Sequence, residues 1–252
     1  MTPIYSCIRE RARQIVSRCP IPDFYHDHAP ANDHSNAFFK TDSVIKQLKH
    51  FVAEQLEDDF GHGLEHAVKV TIEAGALMEI EGKAAGYDER ILEGRLRVVQ
   101  CAGLLHDIKR KKKDHSKHGA EHARKVLESY PFTAEEIEDI CRAIHNHEAF
   151  TSNIIIDTSH GALVADCLYD ADKFRWGPDN FAYTLWDMVA FYNPPLTKFM
   201  ERYPKGMEGL ANIKSTFRTN TGKKYGPQFI DIGLGIGEEL YRLIKDEFSA
   251  YL

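Results

Sequence analysis

The chain has 252 residues, 43% hydrophobic and 28% charged, with a net charge of −6 when histidine is neutral. That length and apolar share supply a sizeable core, and the acidic balance argues against a nucleic-acid partner, which calls for a basic surplus. The cysteines, Cys7, Cys19, Cys101, Cys141 and Cys167, form no C-x-x-C pair, which argues against a disulfide framework or thiolate zinc site and fits a reducing, cytoplasmic setting.

Residues 1–40 read as an N-terminal arm packed on the main body: a short helix over Ile8–Val16, then an irregular stretch around Pro20, Pro22 and Pro30, where proline blocks helix continuation. The start, Met1 to Cys19, is polar and arginine-rich and lacks the apolar run of a secretory leader. Thr41 or Asp42 caps a helix running towards Asp59, with Val44, Ile45, Leu48, Val52 and Leu56 on one face. Gly61 and Gly63 break that pattern. A second helix carries Leu64, Ala67, Val68, Ile72 and Leu77 and ends near Gly82 or Gly86. Asp88 opens a third, which runs to Leu105 and stops in the basic run Lys109 to Lys113. A fourth spans Ser116 to Leu127, ending before Pro131.

Thr133 and Glu136 form a capping box for a fifth helix through Ile137, Ile140 and Ile144. Ser159 to Trp176 is a sixth, and two or three more follow, the last over Ile230 to Leu252. Only Asn153 to Ile156 is rich in β-branched residues. No apolar stretch approaches the ~20 residues needed to cross a bilayer. The expected fold is all-α with one core and no linker.

Four pieces carry chemistry. His62 and His66 lie four apart, on one helix face. His106-Asp107 ends the apolar run Ala102-Gly-Leu-Leu105, where a buried polar pair must be hydrogen-bonded or bound to something. His115 and His118 open the next helix, and Ile144-His-Asn-His-Glu148 closes the fifth. Tyr169-Asp-Ala-Asp-Lys173 sits on a helix with an apolar face. Imidazoles together with carboxylates suit Mn²⁺, Fe²⁺, Co²⁺, Ni²⁺, Zn²⁺ or Mg²⁺. Helical phase leaves Asp170 and Asp172 both open as ligands, since each sits at an edge of the apolar stripe.

This order of pieces resembles the HD-domain superfamily of metal-dependent phosphohydrolases, over roughly residues 41–178. Leu64 to Val70 resembles its first-histidine helix, Ala102 to Ile108 its signature, His115 to Leu127 the following helix, Glu135 to His147 the fifth-helix segment, and Tyr169 to Phe174 its closing aspartate motif. The resemblance implies one HD-type helical domain over 1–252, with an HD core at 41–178 and a C-terminal helical extension at 179–252. It implies four metal ligands, His66, His106, Asp107 and Asp172, with Asp107 also orienting the attacking water. Asp170 is then a supporting or substrate-side residue. His115 and His147 match positions that bind a second metal in some branches and face the substrate phosphate in others; His62 falls at the site rim.

In many members His-Asp-Ile is followed by Gly-Lys; here Lys109-Arg110 follows. Arg110 can bind a phosphate oxygen bidentately but cannot activate water as the glutamate of nucleotidase-like members does. Asn146 replaces the first of the paired histidines of the cyclic-dinucleotide branch, and no Gly-Tyr-Pro follows Glu148, so that activity is disfavoured. The run Lys109–Lys113 reads either as a solvated loop or as a phosphate funnel.

The function implied is hydrolysis of a phosphate mono- or diester, of a nucleotide or related small molecule. Catalytic roles fall to Asp107, Arg110, His115 and His147, and substrate contacts to Arg110, Lys173, His62 and Asp170. Two alternatives stand beside it: a di-iron oxygenase on the same scaffold, and a non-catalytic protein that holds a nucleotide or metal. A homo-oligomer is compatible with the sequence. Tyr183, Trp186, Phe191 and Tyr192 could stack on a base, although aromatics at helical spacing are more often core.

Overall fold

The computed structural model describes residues 2–56 and 63–252. Twelve α-helices are described: α1 Pro3–Val16, α2 Asp23–Asp27, α3 Ala29–Thr41, α4 Ser43–Gln55, α5 Leu64–Ala84, α6 Glu89–Leu105, α7 His115–Leu127, α8 Ala134–His145, α9 Ser159–Phe174, α10 Leu185–Tyr192, α11 Leu196–Ile213 and α12 Asn220–Glu247. A π-helical turn, Asn180–Thr184, leads into α10. Among the described residues there is no strand and no helix long and apolar enough to cross a membrane.

Local chemistry sets most boundaries. Asp42 accepts from Val44 N and Ile45 N at the head of α4, and Asp88 accepts from Ile91 N at the head of α6. Thr133 and Glu136 complete the capping box of α8. Gly86, at φ 78°, turns the chain after α5 in a conformation that favours glycine.

Two expectations are corrected. Pro30 does not keep the arm irregular; it lies in the first turn of α3, where its missing N–H has no helical partner to lose. The last helix starts ten residues before Ile230, because Thr219 caps it through Gly222 N and it runs on through Pro227. The β-branched stretch 153–156 forms no strand, in keeping with the all-α reading: the Asn146 side chain holds Ile154 at both its N–H and its carbonyl, at 2.9 Å each.

Helix α5 is the hub, packed by α3, α6 and α9, while α7 and α8 pair alongside and α12 closes the back against α1, α9 and α11. Gly103 lets α5 and α6 approach closely: a Cβ there would meet Thr71 Cα at 2.8 Å. The alternating course of the chain gathers at one end the start of α5, the end of α6, the start of α7 and the end of α8. The crossing segment 146–158 then lets α9 finish at that same end.

Candidate metal centre

Those helix ends carry the predicted ligands. His66 is in the first turn of α5, His106 caps the end of α6 with Asp107 next to it, and Asp172 is in the last turn of α9. All four are buried. His66 Nε2 lies 3.3 Å from His106 Nε2 and 3.3 Å from Asp172 Oδ1. His106 Nε2 lies 3.4 Å from Asp107 Oδ2 and 3.9 Å from Asp172 Oδ1, and His66 Nε2 is 3.9 Å from Asp107 Oδ2. Ligands at about 2.1 Å around one tetrahedral ion stand about 3.4 Å apart, so this spacing fits a shared cation.

The tautomers fit as well. His106 Nδ1 donates to Gly103 O at 2.7 Å, and His147 Nδ1 donates to Ile144 O at 2.6 Å. A carbonyl only accepts, so each ring carries its proton on Nδ1 and turns an Nε2 lone pair to the centre. Burial opposes charge on His147 and lowers its pKa. For His106 burial also opposes charge, but Asp107 and Asp172 beside it outweigh burial and raise the pKa; a bound divalent ion takes the place of that proton. Burial alone would raise Asp172, yet Lys173 and His66 hold its carboxyl well below the usual range.

A second donor group shares Asp107. Its Oδ1 lies 3.3 Å from His115 Nε2 and 3.4 Å from His147 Nε2, and those two nitrogens are 3.3 Å apart. Arg110 enters this group: its Nη1 is 2.8 Å from His115 Nε2 and 3.7 Å from Asp107 Oδ1. Glu148 faces the other side of that ring, 3.2 Å from His115 Nδ1.

Not every expected residue joins. Asp170 accepts from Arg218 N, Thr219 N and Thr219 Oγ1 at 2.7–2.8 Å, so it anchors the start of α12 instead of meeting substrate. Lys173 is buried and its ammonium binds the second oxygen of Asp172 and His147 O. It braces the ligands rather than the substrate. His62 lies outside the described residues. His118 meets Glu121 on an exposed face, and His122 stacks on Phe51. Trp186 is fully buried and its Nε1 donates to Phe181 O, so it cannot stack on a base.

Two features escaped the sequence. Glu148 orients His115, a role its place right after His147 could have suggested. Arg175, in the turn that ends α9, binds Glu73, Asp179 and Tyr25; only the spacing to Asp179, four residues on, is local, while Glu73 and Tyr25 come from α5 and α2. With His66, Arg175 lines two openings. One is a chamber of about 320 Å³ that also reaches Arg110 and α11. The other is a groove of about 760 Å³ lined by Arg9, Arg13, Lys49 and Lys69 as well as Glu65, Asp179 and Asp187.

The family model of the HD domain matches residues 63–175, the stretch that holds every ligand of both groups. The chain carries an HD domain. The chain is also similar to the 1.45 Å crystal structure of a "predicted HD superfamily hydrolase" from an uncultured Thermotogales bacterium. They share 22% identity and a TM-score of 0.49, over 81% of this chain and 92% of that one. Comparison with curated proteins finds no match. The HD domain stops at the end of α9, so the chamber's other wall, from α10 and α11, comes from chain beyond it.

Proposed function

We propose that the chain is a metal-dependent hydrolase of phosphate mono- or diesters. The observation that carries this reading is the convergence of four buried donors, His66, His106, Asp107 and Asp172, beside an arginine that faces a chamber. A divalent ion held there supplies Lewis acidity and lowers the pKa of water to about 7.

The chain's own groups supply the rest. Arg110 offers a fork of donors to the phosphate oxygens. Asp107, with one oxygen towards each donor group, orients the attacking water. His147, kept neutral by burial, and His115, held by Glu148, accept and return a proton at Nε2. In the step, a bond forms from water oxygen to phosphorus as the bond from phosphorus to the alcohol oxygen breaks. A water proton ends on the departing alcohol. A nucleotide, the substrate expected from sequence, is one such ester.

A second reading, a two-iron oxygenase, draws on the second donor group around Asp107. Two irons per chain with a visible absorption band would favour it. The test of the first reading is a panel of phosphate esters offered to protein supplemented with Mn²⁺, Co²⁺ or Ni²⁺, with Asp107→Ala as control. Turnover by the wild type alone supports hydrolysis; no turnover of any ester sinks it.

A further inference from the structure

We propose that the alcohol half of the ester is apolar, an alkyl or aryl group rather than a nucleoside, and that it sits in the chamber between the end of α9 and α10 and α11. This rests on the hydrolase reading above. The chamber meets the donor groups at His66, which belongs to the first, and at Arg110, which touches the second; Arg175 lines it as well, its guanidinium bound to Glu73, Asp179 and Tyr25. Beyond them its walls are Trp176, Phe181, Leu185, Met188, Phe199 and Leu210. Arg202, the other cation among the described lining residues, is exposed.

Nucleoside recognition needs placed polar groups, commonly a carboxylate for the ribose hydroxyls. Among the described residues no carboxylate lines this chamber. Its uncharged polar groups are Asn180, Thr184 and the Tyr203 hydroxyl, and Tyr203 already donates to Gly237 O at 2.8 Å. Gly206, exposed on α11, also lines the chamber, and a Cβ there would meet nothing within 4 Å. A glycine inside a helix is destabilising, and a larger side chain would fit without a clash. The volume falls at the lower end of the range for small-molecule pockets. An anionic head beside His66 with an apolar body behind it is the ligand whose chemistry matches both ends.

The experiment compares ethyl, butyl, hexyl and octyl phosphate with nucleoside 5′-monophosphates in Mn²⁺-loaded protein. In parallel, binding of the matching alkyl phosphonates is followed by tryptophan fluorescence in chelator-treated protein. The chain has two tryptophans; Trp186 is fully buried while Trp176 is 37% exposed and lines the chamber. Trp176→Phe therefore removes the signal of occupancy. kcat/KM and phosphonate affinity are expected to rise about fourfold per methylene while burial lasts and then to level off. Gly206→Phe is expected to remove that dependence in both assays, and Met188→Gln, a change on α10, to weaken it. A flat response to chain length, or nucleoside monophosphates outrunning every alkyl phosphate, overturns the proposal. Chain-length-dependent binding without turnover of any ester supports the apolar seat and overturns the hydrolase reading instead.

Discussion

Asp170 and Asp172 stand two residues apart on α9 and face nearly opposite ways, as about 100° per residue requires. Asp172 Oδ1 meets His66, while both oxygens of Asp170 accept from the segment that opens α12. The two should therefore separate by readout. Asp170→Ala removes three hydrogen bonds and is expected to cost about 3 kcal/mol of stability, seen by calorimetry, with metal content kept. Asp172→Asn should lose metal affinity by about 100-fold or more, seen by elemental analysis after dialysis, with a smaller fall in melting temperature. Metal loss in Asp170→Ala as severe as in Asp172→Asn would refute the division.

The first donor group depends on how closely α5 and α6 approach. Gly103→Ala places a methyl against the Thr71 backbone, which cannot rotate away. The helices must part, and His66 and His106 separate with them. The expected cost is about 1–3 kcal/mol, together with weaker metal binding measured by titration calorimetry. An unchanged metal affinity would show that the site adjusts independently of helix spacing.

Arg110 puts a guanidinium where a second cation would sit, against His115 and Asp107. With Arg110 present, about one ion per chain is expected. Arg110→Ala frees the group formed by Asp107, His115 and His147, and should raise Mn²⁺ stoichiometry towards two while kcat/KM falls by about 100-fold, as when another charge-stabilising donor is removed. Stoichiometry that stays the same in the variant would mean that the arginine does not exclude the second ion.

Much of this site was legible because its parts are local. His66, His106-Asp107, His115 and His147 each fall at a helix end that caps and periodicity mark, and helix periodicity found α4 to α9 within a few residues. What stayed illegible depends on contacts distant in sequence. Phase alone could not choose Asp172 over Asp170, because the choice is made by Thr219, forty-nine residues away. Lys173 looked like a phosphate ligand until packing buried it against Asp172 and His147 O. The chamber is built by side chains of α10 and α11 that read only as core.

Glu73 gives the pH dependence. Burial pushes its carboxyl up to about 7, although Arg175 and the Tyr25 hydroxyl beside it favour the anion. In the unfolded chain it titrates near 4.5. Between those values the folded protein holds a proton that the unfolded chain has released, so this group's contribution to stability falls as pH rises through the window. The slope approaches about 1.4 kcal/mol per pH unit for one proton. Glu73→Gln cannot titrate. Above about pH 7 it should be less stable, since Arg175 loses its charged partner in the core, and its stability should fall less steeply from pH 4.5 to 7 than the wild type's. Urea denaturation at several pH values reads both. A wild-type advantage that grows with pH below about 4.5 and stays level above it would mean that Arg175 outweighs burial and that the carboxyl titrates below its ordinary value.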